Sequence, residues 1–318
     1  MSASFDLRRL RYFVKVAEAG SLTRAAQALH VAQPALSQQI RGLEEELGVQ
    51  LLTRGPRGVV LTEAGGRLLD EARHIFEGIK VGIERVKGGP EPEGQVVIGV
   101  GQLSGSILMA PLFLLAGERL PRVHLQVRQS LGGLMPDLIL SGAVDFALSL
   151  DPMGGQEIQS KAILFEDLCL VGHRRLVDGF LRHSNMERFS FRDLEGLPLY
   201  MARRGQFIRD TVEQTAKSKG IQLNLRGEVD SHHILKDLAL VGAGCCILPP
   251  TSVLRDREHH DLYVGRISAP IIRRQTFLVH RREMSRAAAA VIRLAVEVVE
   301  SLVASGAWQA TLKPGPKV

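Results

Sequence analysis

Gln33-Pro34-Ala35-Leu36-Ser37-Gln38-Gln39-Ile40-Arg41-Gly42-Leu43-Glu44-Glu45-Glu46-Leu47 is the stretch on which the fold turns. Leu36, Ile40, Leu43 and Leu47 recur at helical spacing and form one inward stripe. Pro34 stands in the first turn, where its missing N–H costs nothing. Opposite the stripe lie Gln33, Ala35, Ser37, Gln38, Gln39 and Arg41. Short amides and a hydroxyl followed by an arginine suit a DNA major groove. Glutamine pairs with adenine through two bonds, serine adapts to either base, and arginine takes guanine or phosphate.

Upstream, Leu7, Leu10, Phe13, Val14 and Ala17 give a first helix with one apolar face, closed by Gly20. Ser21 sits as an N-cap before Leu22–Leu29, a helix whose Ala25, Ala26 and Ala28 permit close packing. His30-Val31-Ala32 is a short turn, so two helices joined tightly precede a polar recognition face, the logic of a helix-turn-helix. Ser21 and Thr23 read as helix caps, a role that does not exclude a phosphate contact. Downstream, Val49–Thr62 reads as a β-hairpin wing around Gly55-Pro56-Arg57-Gly58, with Arg54 and Arg57 placed to reach phosphate or the minor groove.

From Glu63 to Lys87 one helix runs unbroken, with Leu68, Ala72, Ile75, Ile79, Ile83 and Val86 near heptad spacing. A helix this long is marginal alone, and a stripe this narrow is too small for a core helix, so a second copy of the chain is the expected partner. Two recognition helices in two-fold relation require an inverted-repeat site on double-stranded DNA. The run Gly88-Gly89-Pro90-Glu91-Pro92-Glu93-Gly94 then reads as a linker.

Beyond the linker, strand-like and helical patterns alternate. Strands are expected at Val96–Val100, Val123–Gln129, Phe146–Leu150, Leu168–Gly172, Pro198–Ala202, Leu223–Val229, Cys246–Leu248 and Phe277–His280. Helices are expected from Ser104, over Leu131–Ser141 and over Arg286–Ala304. That alternation argues for α/β layers with largely parallel sheets. Polar groups gather after strand ends: Ser104 and Ser106, Ser130 with Gly132, Met201 with Arg203, and Ser231. Ligands of open α/β sheets collect at such ends, and two facing sheets would enclose a small organic molecule, an anion if Arg203 takes part. Asp151–Phe165 and Gly265–Pro270 are the expected hinge connections. Ser104 and Ser231 read equally well as plain N-caps.

Several classes fall away. Gly99-Val100-Gly101-Gln102-Leu103-Ser104 misses the third glycine of a dinucleotide loop, so no cofactor is expected. His232-His233 and His259-His260 lack ligand spacing, so no metal is expected. No nucleophile elbow or Walker loop appears, which argues against an enzyme. Cys169, Cys245 and Cys246 make no disulfide framework, and the first fifteen residues hold no secretory core, so a cytoplasmic protein without membrane association is expected. The 318 residues allow two or three domains, and a net charge of +6 is a mild pointer to a polyanion. Aromatics at 5% argue against binding single strands by stacking. A solute-binding or enzymatic α/β protein, and a purely architectural DNA binder, remain as rival classes.

Leu10-Arg11-Tyr12-Phe13, the run Ala17–Ala26, Ala32–Ile40, Leu43–Gly48 and Leu61-Thr62-Glu63-Ala64-Gly65 together resemble the LysR-type transcriptional regulators, and the layout of the remaining chain fits them too. Gly55-Pro56 at the wing tip and Gln39 depart from the family's usual residues. The resemblance implies a winged helix-turn-helix over 1–63 and a linker and dimerisation helix over 64–92. It further implies a two-subdomain α/β effector domain of the type 2 periplasmic-binding-protein kind over 93–304, then a tail over 305–318. Its first subdomain would hold about 93–163 and 267–304, its second about 164–266. It also implies a homodimer assembling to a tetramer, RNA polymerase as a further partner, and Ser104, Ser130, Gly132, Met201, Arg203 and Ser231 near the effector cleft.

Overall fold

The computed structural model describes residues 6–55, 58–87, 91–129, 134–155, 157–180, 188–256 and 259–313. Two compact units are present: one holds the elements up to the long helix, the other essentially all those beyond it.

The first unit comprises α1 (Leu7–Ala19), α2 (Leu22–Ala28), α3 (Gln33–Leu47), a hairpin of β1 (Leu52–Gly55) and β2 (Gly58–Leu61), and α4 (Glu63–Lys87). Asp6 caps α1, which ends on Gly20 in the left-handed conformation. Leu10, Phe13, Leu36, Ile40 and Leu43 are buried in one core, joined by Leu69 and Ala72 of α4. The strands pair antiparallel from Leu52–Leu61 to Gly55–Gly58. Val59 N–H donates to the Gly20 carbonyl at 3.0 Å, fastening the wing to the α1–α2 turn. At the base of α4, Thr62 Oγ1 accepts from Gly65 N–H at 3.0 Å and donates to the Gln50 carbonyl at 2.7 Å.

The second unit runs β3 (Gly94–Val100), α5 (Gln102–Arg119), β4 (Val123–Gln129), α6 (Met135–Leu140), β5 (Phe146–Ser149), β6 (Ile158–Asp167), β7 (Cys169–His173), α7 (Arg174–Phe180), β8 (Arg188–Ser190) and β9 (Pro198–Met201). It continues through α8 (Phe207–Lys219), β10 (Asn224–Glu228), α9 (His232–Leu240), β11 (Cys246–Leu248), a 3-10 segment Pro250–Asp256, β12 (Leu262–Ser268), β13 (Arg273–Arg281), α10 (Arg286–Ala304) and β14 (Thr311–Leu312). A six-stranded sheet, β14-β6-β13-β5-β3-β4, packs α5 and α10 over Ile98, Leu108, Val291 and Trp308. A four-stranded sheet, β11-β7-β12-β8, and the parallel pair β10-β9 form the other half around Phe189, Phe191, Leu199 and Val212.

These sheets correct three expectations. They are mixed rather than largely parallel: β3 pairs parallel with β4 and β5, whereas β13 runs antiparallel to β5 and β6. The chain passes between halves twice, and its return strand must lie against the outgoing one. The first crossing falls at Leu168 rather than within Asp151–Phe165, because β6 stays paired with β13 as far as Asp167. Polar Lys161, Glu166 and Asp167 hide that strand from an apolar-run reading. Finally, the stretch expected only as a tail over 305–318 joins the second unit: Trp308 is fully buried and Thr311-Leu312 pair with Phe165-Leu164. Residues 314–318 lie outside the described set, as do Ser130, Gly132 and Arg57.

Candidate nucleic-acid interface and ligand cavity

α3 turns Leu36, Ile40 and Leu43 inward and leaves Gln33, Pro34, Ala35, Gln38 and Arg41 exposed. Ser37 is a correction. It is only 4% exposed, because it sits on the flank of α3 beside the buried stripe rather than on its outer ridge. The amide of Gln39 is half-buried, its Oε1 accepting from Arg9 Nε at 3.3 Å, so it ties α3 to α1. Ser21 caps α2 by accepting from Arg24 N–H at 3.4 Å, and Thr23 is exposed on the first turn. A feature missed in the sequence is Glu44, whose Oε1 accepts from both Leu51 N–H and Leu52 N–H at 2.9 and 3.1 Å. A glutamate on a helix ordinarily reads as a solvated charge, and its partners lie past the helix end. The backbone at Arg54 is in β1, and nothing is described of its side chain.

Along α4 the expected seam divides. Ala72 is fully buried and Leu68 half-buried in the core of their own unit, which corrects the assignment of Ala72 to a partner surface. The first turns of α4 close the helix-turn-helix core through Leu68, Leu69 and Ala72. Ile75, Ile79, Ile83 and Val86 remain 38%, 37%, 47% and 87% exposed.

In the second unit, Glu166 on β6 and Arg274 on β13 are cross-strand partners beside the crossings, 0% and 2% exposed. Arg274 Nε donates to Glu166 Oε2 at 2.7 Å, and Thr251 Oγ1, from the 3-10 segment of the other half, donates to Glu166 Oε1 at 2.5 Å. On the opposite strand face Asp167 pairs with Arg273 at 2.6 Å and with Arg266. Beside this hinge lies a cavity of about 560 Å³ between α5 and α10 on one side and α9 and the 3-10 segment on the other. Thr251 and His232 both line it. Burial, with the Arg274 charge adding to it, pushes the His232 imidazole down to about 4, so the ring is neutral at physiological pH.

Of the expected effector residues, Ser106 lines this cavity. Ser104 is buried. Met201 is in the core of the second half. Arg203 is held by Asp230 at 3.2 Å, and Ser231 caps α9. Met201 is thus a correction: its strand parity points it under the sheet. The residues actually gathered, His232, Lys236 and Thr251, follow strand ends whose sequence gives only cap and turn signals. Among the described residues, His259, His260 and Asp261 bring ligand atoms within 4.8 Å on a surface turn, but the trio supplies no fourth ligand of the kind a structural zinc centre uses. Cys245 is pushed up to about 12 by burial and Cys246 higher still, so neither is a thiolate at neutral pH. No helix among the described residues is long and apolar enough to cross a membrane.

Residues 7–66 match the family of bacterial regulatory helix-turn-helix proteins of the lysR kind, and residues 89–300 match the LysR substrate binding domain. The chain is 33% identical over 269 residues to the nitrogen assimilation regulatory protein nac of Klebsiella aerogenes, covering 83% of this chain and 85% of that one. Among solved structures it is similar to a full-length OxyR variant from Pseudomonas aeruginosa, with a TM-score of 0.76 at 21% identity over 93% of this chain and 95% of that one. It is also similar to full-length CbnR solved with its target DNA, with a TM-score of 0.64 at 25% identity over 93% and 99%.

Proposed function

Because the chain belongs to the lysR family of bacterial regulatory helix-turn-helix proteins, and is thus a sequence-specific DNA-binding transcription regulator and not an enzyme, we propose how its residues carry out that role. Gln33 and Gln38 of α3 read base edges in the major groove, and Arg41 takes guanine or phosphate. Ser21, Thr23, Pro34 and the wing arginines Arg54 and Arg57 position the unit on phosphate without reading sequence. Two chains joined along the distal part of α4 present two such helices to an inverted repeat. A small organic effector between the two halves of the second unit changes their relative orientation, and with it the spacing or bend of the bound DNA. Pairs of dimers and contact with RNA polymerase follow in the same scheme. The carrying observation is the pair of exposed amides, Gln33 and Gln38, on the outer side of α3, set against its buried Leu36, Ile40 and Leu43.

Duplexes selected from a random pool, followed by fluorescence anisotropy at fixed salt, test this. Gln33→Ala and Gln38→Ala should relax base preference, costing about 1–3 kcal/mol on the selected duplex and little on random DNA. Arg54→Ala should weaken every duplex alike and lower the salt slope. Equal losses on all sequences from the glutamine variants would rule out base reading by α3.

A further inference from the structure

The flank of α3 that meets α1 carries a second line of contacts beside the buried stripe. The Arg9 guanidinium of α1 reaches two residues of α3 at once: Nε donates to Gln39 Oε1 at 3.3 Å, and Nη1 donates to Glu46 Oε2 at 3.2 Å. Those acceptors stand about two turns, or ~10 Å, apart along the helix. Gly42 lies between them, and the guanidinium is seated over it. A Cβ at that position would come within 3.5 Å of Arg9 Cζ and Nη1. A methyl group there would just touch the guanidinium, and any longer side chain would take its place.

For stability this contact matters little. The Arg9 side chain is still 35% exposed, and an ion pair in water is weak. What it adds is direction. Leu10 and Phe13 of α1 meet Leu36, Ile40 and Leu43 of α3 through hydrocarbon, a contact that holds the helices together without orienting them. A helix with its side chains is about 10–12 Å across, so a roll of about 10° moves a side-chain tip by ~1 Å. That is enough to break a hydrogen bond to a base, whose length is confined to about 2.7–3.2 Å.

We propose that Arg9 is a positioning residue for base recognition: its fork, spanning Gln39 and Glu46 over Gly42, fixes the roll of α3 on α1 and with it the aim of Gln33 and Gln38 into the major groove. Lysine does not replace it, because one ammonium cannot make the two divergent bonds of a planar fork. The proposal rests on reading α3 as the helix that reads bases, and it adds the residue outside that helix which sets its angle.

Fluorescence anisotropy of the full-length protein on the selected duplex and on a scrambled duplex of equal length, across a salt series, tests this. Arg9→Lys keeps the charge, so affinity for the scrambled duplex and the salt slope should match the parent while the ratio of the two affinities falls about tenfold. Gly42→Leu leaves Arg9 in the chain and exchanges a poor helix former for a good one, so its urea midpoint should hold or rise while discrimination falls by a similar factor. A pair that served stability alone would not separate the two readouts in this way. Parent-like discrimination by either variant would overturn the proposal. So would an Arg9→Ala variant that weakens both duplexes alike and lowers the salt slope, since Arg9 would then be a phosphate contact. Gln38→Ala separates the two levels. If it relaxes discrimination and Arg9→Lys does not, the positioning role alone fails; if it changes nothing, α3 does not read bases and both readings fall.

Discussion

His232 shows what one placement does to one group. The ring is enclosed beside the Arg274 guanidinium and stays neutral down to about pH 4, whereas in the unfolded chain it titrates near 6.5. Between those values the unfolded chain binds a proton that the native protein refuses, so stability falls as pH drops through that window. This contribution is absent above about pH 7 and grows to at most about 3 kcal/mol near pH 4. Urea unfolding of the parent and of His232→Gln from pH 7 to 4.5 should show the parent losing more stability. A constant difference across the window would show that the ring is not held neutral. Cys245 and Cys246 lie close by in the fold's second half and are inert for the same reason: burial penalises the charged form.

At the scale of elements, the wing is held by few bonds. Glu44 reaches past the end of α3 to accept two backbone N–H groups at the entry to β1, and β2 is fastened to the α1–α2 turn through Gly20. Gly58 has a φ of 120°, and a Cβ there would run into the Gly20 carbonyl, so the hairpin can approach the helices only because no side chain intervenes. Glu44→Ala should leave two partly buried donors unpaired and cost about 1–3 kcal/mol, with Glu44→Gln restoring most of it through the remaining amide oxygen. Chemical denaturation of the three proteins checks this, and an unaffected Ala variant would mean that water replaces the carboxylate. The three helices and the hairpin were legible from apolar spacing and glycine punctuation. The role of Glu44 was not, because its partners are backbone groups that carry no side-chain signature.

For the whole molecule, the apolar edge of α4 is a run of large side chains at near-heptad spacing that a single chain leaves uncovered. Ile75, Ile79, Ile83 and Val86 are exposed at near-heptad spacing, whereas Leu68 and Ala72 serve their own unit. Ile79→Asp with Ile83→Asp should shift the protein to a monomer in sedimentation equilibrium. Preference for an inverted repeat over a single half-site should disappear with it. A double variant that remains dimeric would place the dimer interface elsewhere. By itself the sequence determined the helix-turn-helix, its exposed amides, the long helix and the alternating α/β layers, because each is written in local periodicity, caps and breakers. Which groups are free to act was decided only by the tertiary structure. It buried Ser37 and Met201, committed Gln39 and Arg203 to neighbours, and brought Thr251 onto Glu166 from 85 residues away. Burial and pairing depend on what distant strands place alongside a side chain, and a local pattern carries no record of that.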